Sequence, residues 1–222
     1  MCPPALKVPQ AWGIWSSMLL KKIEGAKAER RRAELMLEQR ERFLQLVKER
    51  GILRGDFTLA SGARSSYFFD LKMVTLSAEG AYLAGKLVYE MLKDSGVDAV
   101  GGLTLGADPI VTAVSLVSHL EGTPIDAFIV RGDLKEHGTQ KAIEGRLPVK
   151  GSKVAVVEDV ITKGGSTLKA IAAVEAAGCR VDRVVALLDR HQGGSDDLRK
   201  RGYDFSAIVH ANEEGDVGTD QV

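Results

Sequence analysis

The sequence predicts an α/β fold: a mostly parallel, twisted sheet flanked by helices, with a small N-terminal subdomain. Three observations carry that reading. Apolar runs of strand length alternate with amphipathic runs of helix length from residue 78 onward, the pattern of a parallel sheet covered on both faces. The stretch 154–168, VAVVEDVITKGGSTL, is an apolar strand that passes through two acids and a glycine-containing polar loop into a helix, one βα unit of such a sheet. A charged helix and an aromatic segment at 57–70 precede the alternation and suit a smaller subdomain beside the sheet. The chain shows no internal sequence repeat and no second independent domain.

The elements follow in order. Residues 1–35 form an N-terminal extension, expected to be poorly ordered or helical; its first 17 residues hold both tryptophans, and 21–32, KKIEGAKAERRR, suit a solvated helix. Glu24, Glu29 and Glu34 argue against a transit peptide. A helix is predicted over 35–49, with Leu35, Phe43, Leu46 and Val47 on one apolar face and Gly51 ending it. Tyr67, Phe68 and Phe69 read as a strand, in which the two phenylalanines face opposite ways. Helices at 78–93, 110–120 and 168–177 alternate with strands at 97–105, 124–130, 153–157 and 183–188. A short helix and a last strand at 205–209 close the domain, which spans 36–213; residues 214–222 are expected as a flexible tail.

Bulk composition excludes several classes of function. In 222 residues, 30 basic and 30 acidic side chains leave a formal net charge of +0, so nothing global favours nucleic acid as a partner. No stretch has the length and apolarity of a membrane span. The 2 cysteines, Cys2 and Cys179, are no disulfide framework and suit the reducing cytoplasm.

Chemistry concentrates in three stretches. At 162–167, Gly164 and Gly165 permit a tight turn, Thr162, Ser166 and Thr167 bring hydroxyls, and a helix begins with free N–H groups, which together make an anion nest. Lys163 adds charge, and the acids before it, Glu158 and Asp159, suit ribose hydroxyls or a magnesium ion held through water. The loop matches neither GxxxxGK(S/T) nor GxGxxG. A phosphate beside sugar hydroxyls describes a sugar phosphate. The second stretch, 131–145, is a long polar loop with Arg131, Lys135, His137 and Lys141, suited to closing over a polyanion. The third is Asp189-Arg190 at a strand end, where an arginine fork can hold a carboxylate or a base edge, or else pair locally with Asp189, Asp196 or Asp197.

Taken together, VVEDVITKGGS, SGARSSYFFDLK, VRGDLKEHGTQKAIEG and LLDRHQGG resemble the type I phosphoribosyltransferases, and within them the orotate phosphoribosyltransferase family. The resemblance covers about residues 36–213. It implies transfer of phosphoribosyl from 5-phosphoribosyl 1-diphosphate to orotate, giving orotidine 5'-phosphate and diphosphate, a step of pyrimidine biosynthesis. It implies that Glu158, Asp159, Val160, Ile161, Thr162, Lys163, Gly164, Gly165 and Ser166 bind the donor, with Asp159 also catalytic. Arg131, Lys135 and His137 would close on the diphosphate, from a loop that reaches into the neighbouring subunit of a homodimer. Phe68, Phe69, Lys72, Thr162 and Arg190 would bind orotate. Mg2+ would be the cofactor, carried by diphosphate and water rather than by protein ligands. Gly132 and Ala60 stand where family members often have basic residues, and the turn TLGADP lacks a lysine that some carry; Lys72, Lys141 and Lys163 are the candidates to compensate.

Three other readings compete. A transferase for a different nucleobase would not converge Arg190 and the aromatic pair on the base. A non-catalytic sensor of the same sugar diphosphate would lack the loop lysine and histidine, and both are present. A scaffold leaves the polar, glycine-rich sheet ends without a purpose.

Overall fold

A computed structural model describes residues 10–58, 64–132, 142–146 and 149–219; side chains are described from residue 24 onward, and at Lys22. The chain divides into two units, 1–39 and 40–222. Helix α1, Gln10–Leu46, runs without a break through 21–32, read as a solvated helix, and the helix read from 35 onward. In the first unit its described side chains are mostly exposed, as in the Arg30–Glu34 pair at 2.9 Å. Leu35, expected on the buried face, is 46% exposed, whereas Phe43, Leu46 and Val47 in the second unit are fully buried.

A π-helical turn, Val47–Gly51, leads from α1 into the hairpin of β1 (Ile52–Thr58) and β2 (Arg64–Phe69), which pair antiparallel. Alternation along β2 buries Tyr67 and Phe69, each 6% exposed, and leaves Phe68 41% exposed against Phe57. The short helix α2 (Lys72–Thr75) and α3 (Ala78–Leu92) follow. α3 begins where the Ser77 side chain accepts the Gly80 N–H, an N-terminal cap.

Seven strands then form one sheet in the order β5-β4-β3-β6-β7-β8-β9. β3 (Ala99–Leu103), β4 (Asp126–Val130), β6 (Lys153–Ile161), β7 (Arg180–Asp189) and β8 (Phe205–Ala211) are parallel. α4 (Asp108–Leu120) follows β3, α5 (Gly165–Ala176) follows β6, and α6 (Gly194–Lys200) follows β7. The edges are antiparallel: β5 (Ile143–Gly145) on β4, and β9 (Val217–Gly218) on β8. Both edges fall in segments read from sequence as a loop and a tail. Three and two residues are too few to show a period, and only the neighbouring strand's unpaired groups stabilise them.

Both faces of the sheet are covered, which is why its central strands read as unbroken apolar runs. From β6, Ala155 and Val157 join the cluster that includes α3 and α4, whereas Val154 and Val156 join the cluster under α5 and α6. β6 is the middle strand, and the chain winds away from it toward β4 on one side and toward β8 on the other. That reversal opens a crevice at the C-terminal ends of β3 and β6, where ligands bind in open α/β sheets.

Close packing at this point demands glycine. A Cβ on Gly102 would stand 2.3 Å from the Val157 carbonyl oxygen and 2.5 Å from the Ala107 Cβ, and backbone cannot retreat as a side-chain tip can. Gly102→Ala should therefore destabilise the fold by about 1–3 kcal/mol. A fall in the urea midpoint at unchanged slope checks this; an unchanged midpoint would show that the strands have slack.

Candidate active site

The site is built outward from β6. The strand runs past the four apolar residues read from sequence and carries Glu158, Asp159, Val160 and Ile161 to its end. Glu158 is 5% exposed, and its Oε2 accepts the hydroxyls of Ser166 at 2.5 Å and Thr167 at 3.1 Å. These two hydroxyls, expected to face a phosphate, are turned instead to the carboxylate. The reason is that α5 starts at Gly165, so both residues sit in its first turn above the strand end. Burial is the main force that pushes the Glu158 carboxyl up from 4.5 to about 7, with the Asp159 charge adding to it and the Ser166 hydroxyl opposing.

Asp159 is half-buried. Its Oδ1 accepts the Val160 N–H at 2.8 Å, and it lies so close to Gly106 that a Cβ there would meet Oδ1 at 2.6 Å. Gly106 belongs to the loop after β3, which contains a cis peptide between Thr104 and Leu105. Lys72 pairs with Asp70 at 2.7 Å; that hydrogen bond chiefly holds its ammonium above the usual lysine value, and Asp159 contributes at longer range.

The loop 162–164 turns through Gly164, whose φ of 76° is left-handed, into the N-terminus of α5. Its exposed Lys163 faces solvent. The loop is anchored from the next strand: the Gly194 N–H donates to the Thr162 carbonyl at 2.9 Å. A Cβ on Gly194 would meet that oxygen at 2.6 Å and the Gly164 nitrogen at 2.7 Å.

Arg190 follows β7, and its backbone N–H donates to the Ile161 carbonyl at 3.0 Å. Among the described residues it pairs with no carboxylate. Its guanidinium lies 5.1 Å from the Tyr67 ring centre and 5.4 Å from that of Phe69, and Nη2 donates to the Tyr67 hydroxyl at 3.1 Å. Nε is buried without a hydrogen-bond partner. Of the two phenylalanines, Phe69 meets Arg190, whereas Phe68 points away to Phe57.

Arg131 is held at the end of β4 by Glu144, 2.9 Å away on β5. Lys135, His137, Lys141 and Ala60 lie outside the described residues. The structure thus brings together Lys72, Glu158, Asp159, the loop 162–166, Arg190 and Phe69. Sequence reasoning missed Tyr67, which stacks on Arg190, and Gly194, which anchors the loop 162–164. The pair Gly193-Gly194 was the available signal for the second; nothing local marked Tyr67 as different from its aromatic neighbours.

A sheet of this topology, with a glycine turn into a helix N-terminus at the end of β6 and an arginine–aromatic cluster between the end of β7 and β2, has the type I phosphoribosyltransferase fold. Comparison with known proteins agrees. No protein-family model matches the chain. An orotate phosphoribosyltransferase of Aquifex aeolicus is 44% identical over 182 residues, 81% of this chain and 98% of the relative. The crystal structure of the Mycobacterium tuberculosis orotate phosphoribosyltransferase in complex with Fe(III) dicitrate superposes with a TM-score of 0.69 at 39% identity, covering 78% of this chain and 96% of that one. The same enzyme in complex with 5-phospho-alpha-D-ribosyl 1-diphosphate gives 0.65 at 37%, with the same coverage. The chain belongs to the orotate phosphoribosyltransferase family.

The Glu158 carboxyl has a pH signature. Its folded value near 7 lies above the ordinary 4.5, so between these values the folded state binds the extra proton. Stability of the ligand-free protein is unaffected below pH 4.5, falls as pH rises through that window, and bears the full penalty above 7. Glu158→Gln keeps an acceptor for both hydroxyls and removes the charge. Relative to wild type, it should gain stability at pH 8 over pH 5 in urea unfolding; parallel pH dependence of the two proteins would refute the assignment.

Proposed function

We propose that the chain transfers the phosphoribosyl group of 5-phosphoribosyl 1-diphosphate to orotate in the cytoplasm, releasing diphosphate and orotidine 5'-phosphate. Family membership supports the reaction class. The observation that carries the choice of base is Arg190: a guanidinium framed by Tyr67 and Phe69, with no carboxylate partner and an unbonded Nε among the described residues. An arginine fork so placed suits a planar substrate that carries a carboxylate, as orotate does.

The residues divide the work along the crevice. The backbone of 162–166 and the N-terminus of α5 receive the 5-phosphate. Asp159 and Glu158 accept the ribose hydroxyls; hydroxyl donors favour the ionised carboxylate, so donor binding releases the proton that burial retains on Glu158. Phe69 and Arg190 hold orotate, with Thr162 and Lys72 at its border, and aim its ring nitrogen at C1. That nitrogen attacks C1 as diphosphate leaves, with inversion, and charge grows on the leaving oxygens. Arg131, Lys135 and His137 meet that charge, with Lys135 neutralising it and His137 donating a proton. The work is therefore positioning and electrostatics.

The site fits magnesium only as a partner of the substrate. Mg2+ takes oxygen ligands and keeps several waters. Glu158 Oε2 is engaged by two hydroxyls and Asp159 Oδ1 by a backbone N–H, leaving Glu158 Oε1 and Asp159 Oδ2 to be divided between the ribose hydroxyls and the ion. Held beside these acids together with the diphosphate, the ion would supply charge neutralisation on the leaving group.

A homodimer completes the site in this reading. Leu76, Tyr82, Leu105, Leu116 and Leu120 are 52–75% exposed and line one groove beside Lys72 and Asp108, an apolar face suited to a second copy. The loop after Arg131 then acts in the neighbouring subunit's site.

Three measurements test these assignments. Purified protein with the sugar diphosphate and Mg2+ should consume orotate and leave uracil and adenine unchanged. In that assay Arg190→Ala should raise the KM for orotate about 10- to 100-fold, the worth of one charged hydrogen-bond pair, with the donor's KM little altered. Uracil consumption by wild type would remove the base assignment. Lys135→Ala should lower kcat by about 100-fold or more with the fold intact; wild-type turnover would exclude Lys135 from catalysis. Light scattering should give a dimer for wild type and a monomer for Leu116→Asp, and a monomeric wild type would rule out the shared site.

A further inference from the structure

β7 and β8 end side by side, and their register pairs Asp189 with His210. Partners on neighbouring parallel strands project to the same face, so a carboxylate and an imidazole arrive together at the sheet edge. The chain then turns back at His191, whose φ of 48° is uncommon for a residue with a side chain. This lays the His191 ring on the His210 ring, centres 5.0 Å apart and 18° from parallel, with His191 Nε2 2.9 Å from His210 Nδ1.

Asp189 is fully buried and His210 is 4% exposed. The Asp189 carboxylate is oriented by one oxygen, since Oδ1 accepts the His191 backbone N–H at 2.9 Å. The other oxygen, Oδ2, is buried without a hydrogen-bond partner, with His191 Nδ1 3.6 Å away. A buried carboxylate oxygen in that state is costly, and a cation beside it removes the cost. One donor atom from each of the three side chains lies within 4.8 Å of the others.

We propose that Asp189, His191 and His210 bind one divalent transition-metal ion of the Zn2+ class, separate from the magnesium of the transfer reaction. Two imidazoles and one carboxylate form a donor set that such ions take, with positions left for water; Mg2+ prefers oxygen throughout. Metal bonds of roughly 2.0–2.2 Å place ligand atoms about 3.3 Å apart, so the imidazole pair opens by a few tenths of an ångström, while the Asp189 carboxylate, which meets His191 on its Nδ1 side, closes in from within 4.8 Å. His191 lines a cavity of about 620 Å³ that also includes Asn212 and Glu213, and this gives the ion a path from solvent. The ion would clamp the residues on both sides of Arg190. Binding rests on these three side chains alone and holds whatever base the protein uses.

The test is calorimetric titration of the untagged full-length protein with Zn2+ in an excess of Mg2+, with Co2+ as a visible-absorption probe. Wild type should bind one equivalent of Zn2+, insensitive to Mg2+, and give Co2+ ligand-field bands. His191→Gln alters an exposed ring, and Asp189→Asn keeps the acceptor for the His191 N–H; each should bind at least about tenfold more weakly. Urea unfolding without metal verifies that each variant is folded. Equal Zn2+ affinity in wild type and folded His191→Gln would overturn the proposal, as would displacement of the ion by Mg2+.

Discussion

The parallel pairing of β6 with β7 is the constraint on which the site depends. Its register places Ile161 opposite Asp189, so the two strands end level. The loops that leave them must therefore run side by side, and they are joined there: Arg190 N–H to Ile161, and Gly194 N–H to Thr162. One loop is the proposed phosphate nest and the other carries the arginine. Because hydrogen bonds of the sheet continue into both loops, the glycine turn and Arg190 are held at a fixed separation. A slip of one residue would reverse every side chain of β7 between the two cores, so the burial of Val184 to Leu188 protects the geometry of the crevice.

The same strand sorts two adjacent acids into different environments. Glu158 is drawn under α5, where two hydroxyls and burial act on it, and Asp159 lies against the glycine loop after β3. Two like charges side by side in a partly dry site oppose each other, and retention of a proton by Glu158 relieves that repulsion when no ligand is present. The proposed substrate, which brings hydroxyl donors and a cation, would relieve the same repulsion.

Much of the fold was legible because its signals are local. Apolar runs bounded by glycine and polar turns marked β3, β4, β6, β7 and β8, and the helical spacing of Leu83, Leu87, Val88 and Leu92 marked α3. The edge strands β5 and β9 were not legible, since a two- or three-residue strand exists only through its neighbour. Near the candidate site, the glycine turn at 162–166 and the strand-end position of Arg190 were readable from residue types. The choice between Phe68 and Phe69 was not, because strand alternation says that the two differ and not which one faces inward.

By itself the sequence determined the class of fold, the position of the glycine turn after β6 and the residue types available near it. These follow from periodicity, turn chemistry and charge, which act over a few residues. Only the tertiary structure decided partners: Ser166 and Thr167 with Glu158, Tyr67 and Phe69 with Arg190, Gly194 with Thr162, and His191 and His210 with Asp189. Those contacts join segments up to 123 residues apart. They depend on strand register and helix start, and these are settled by packing the whole core rather than by any one stretch of chain.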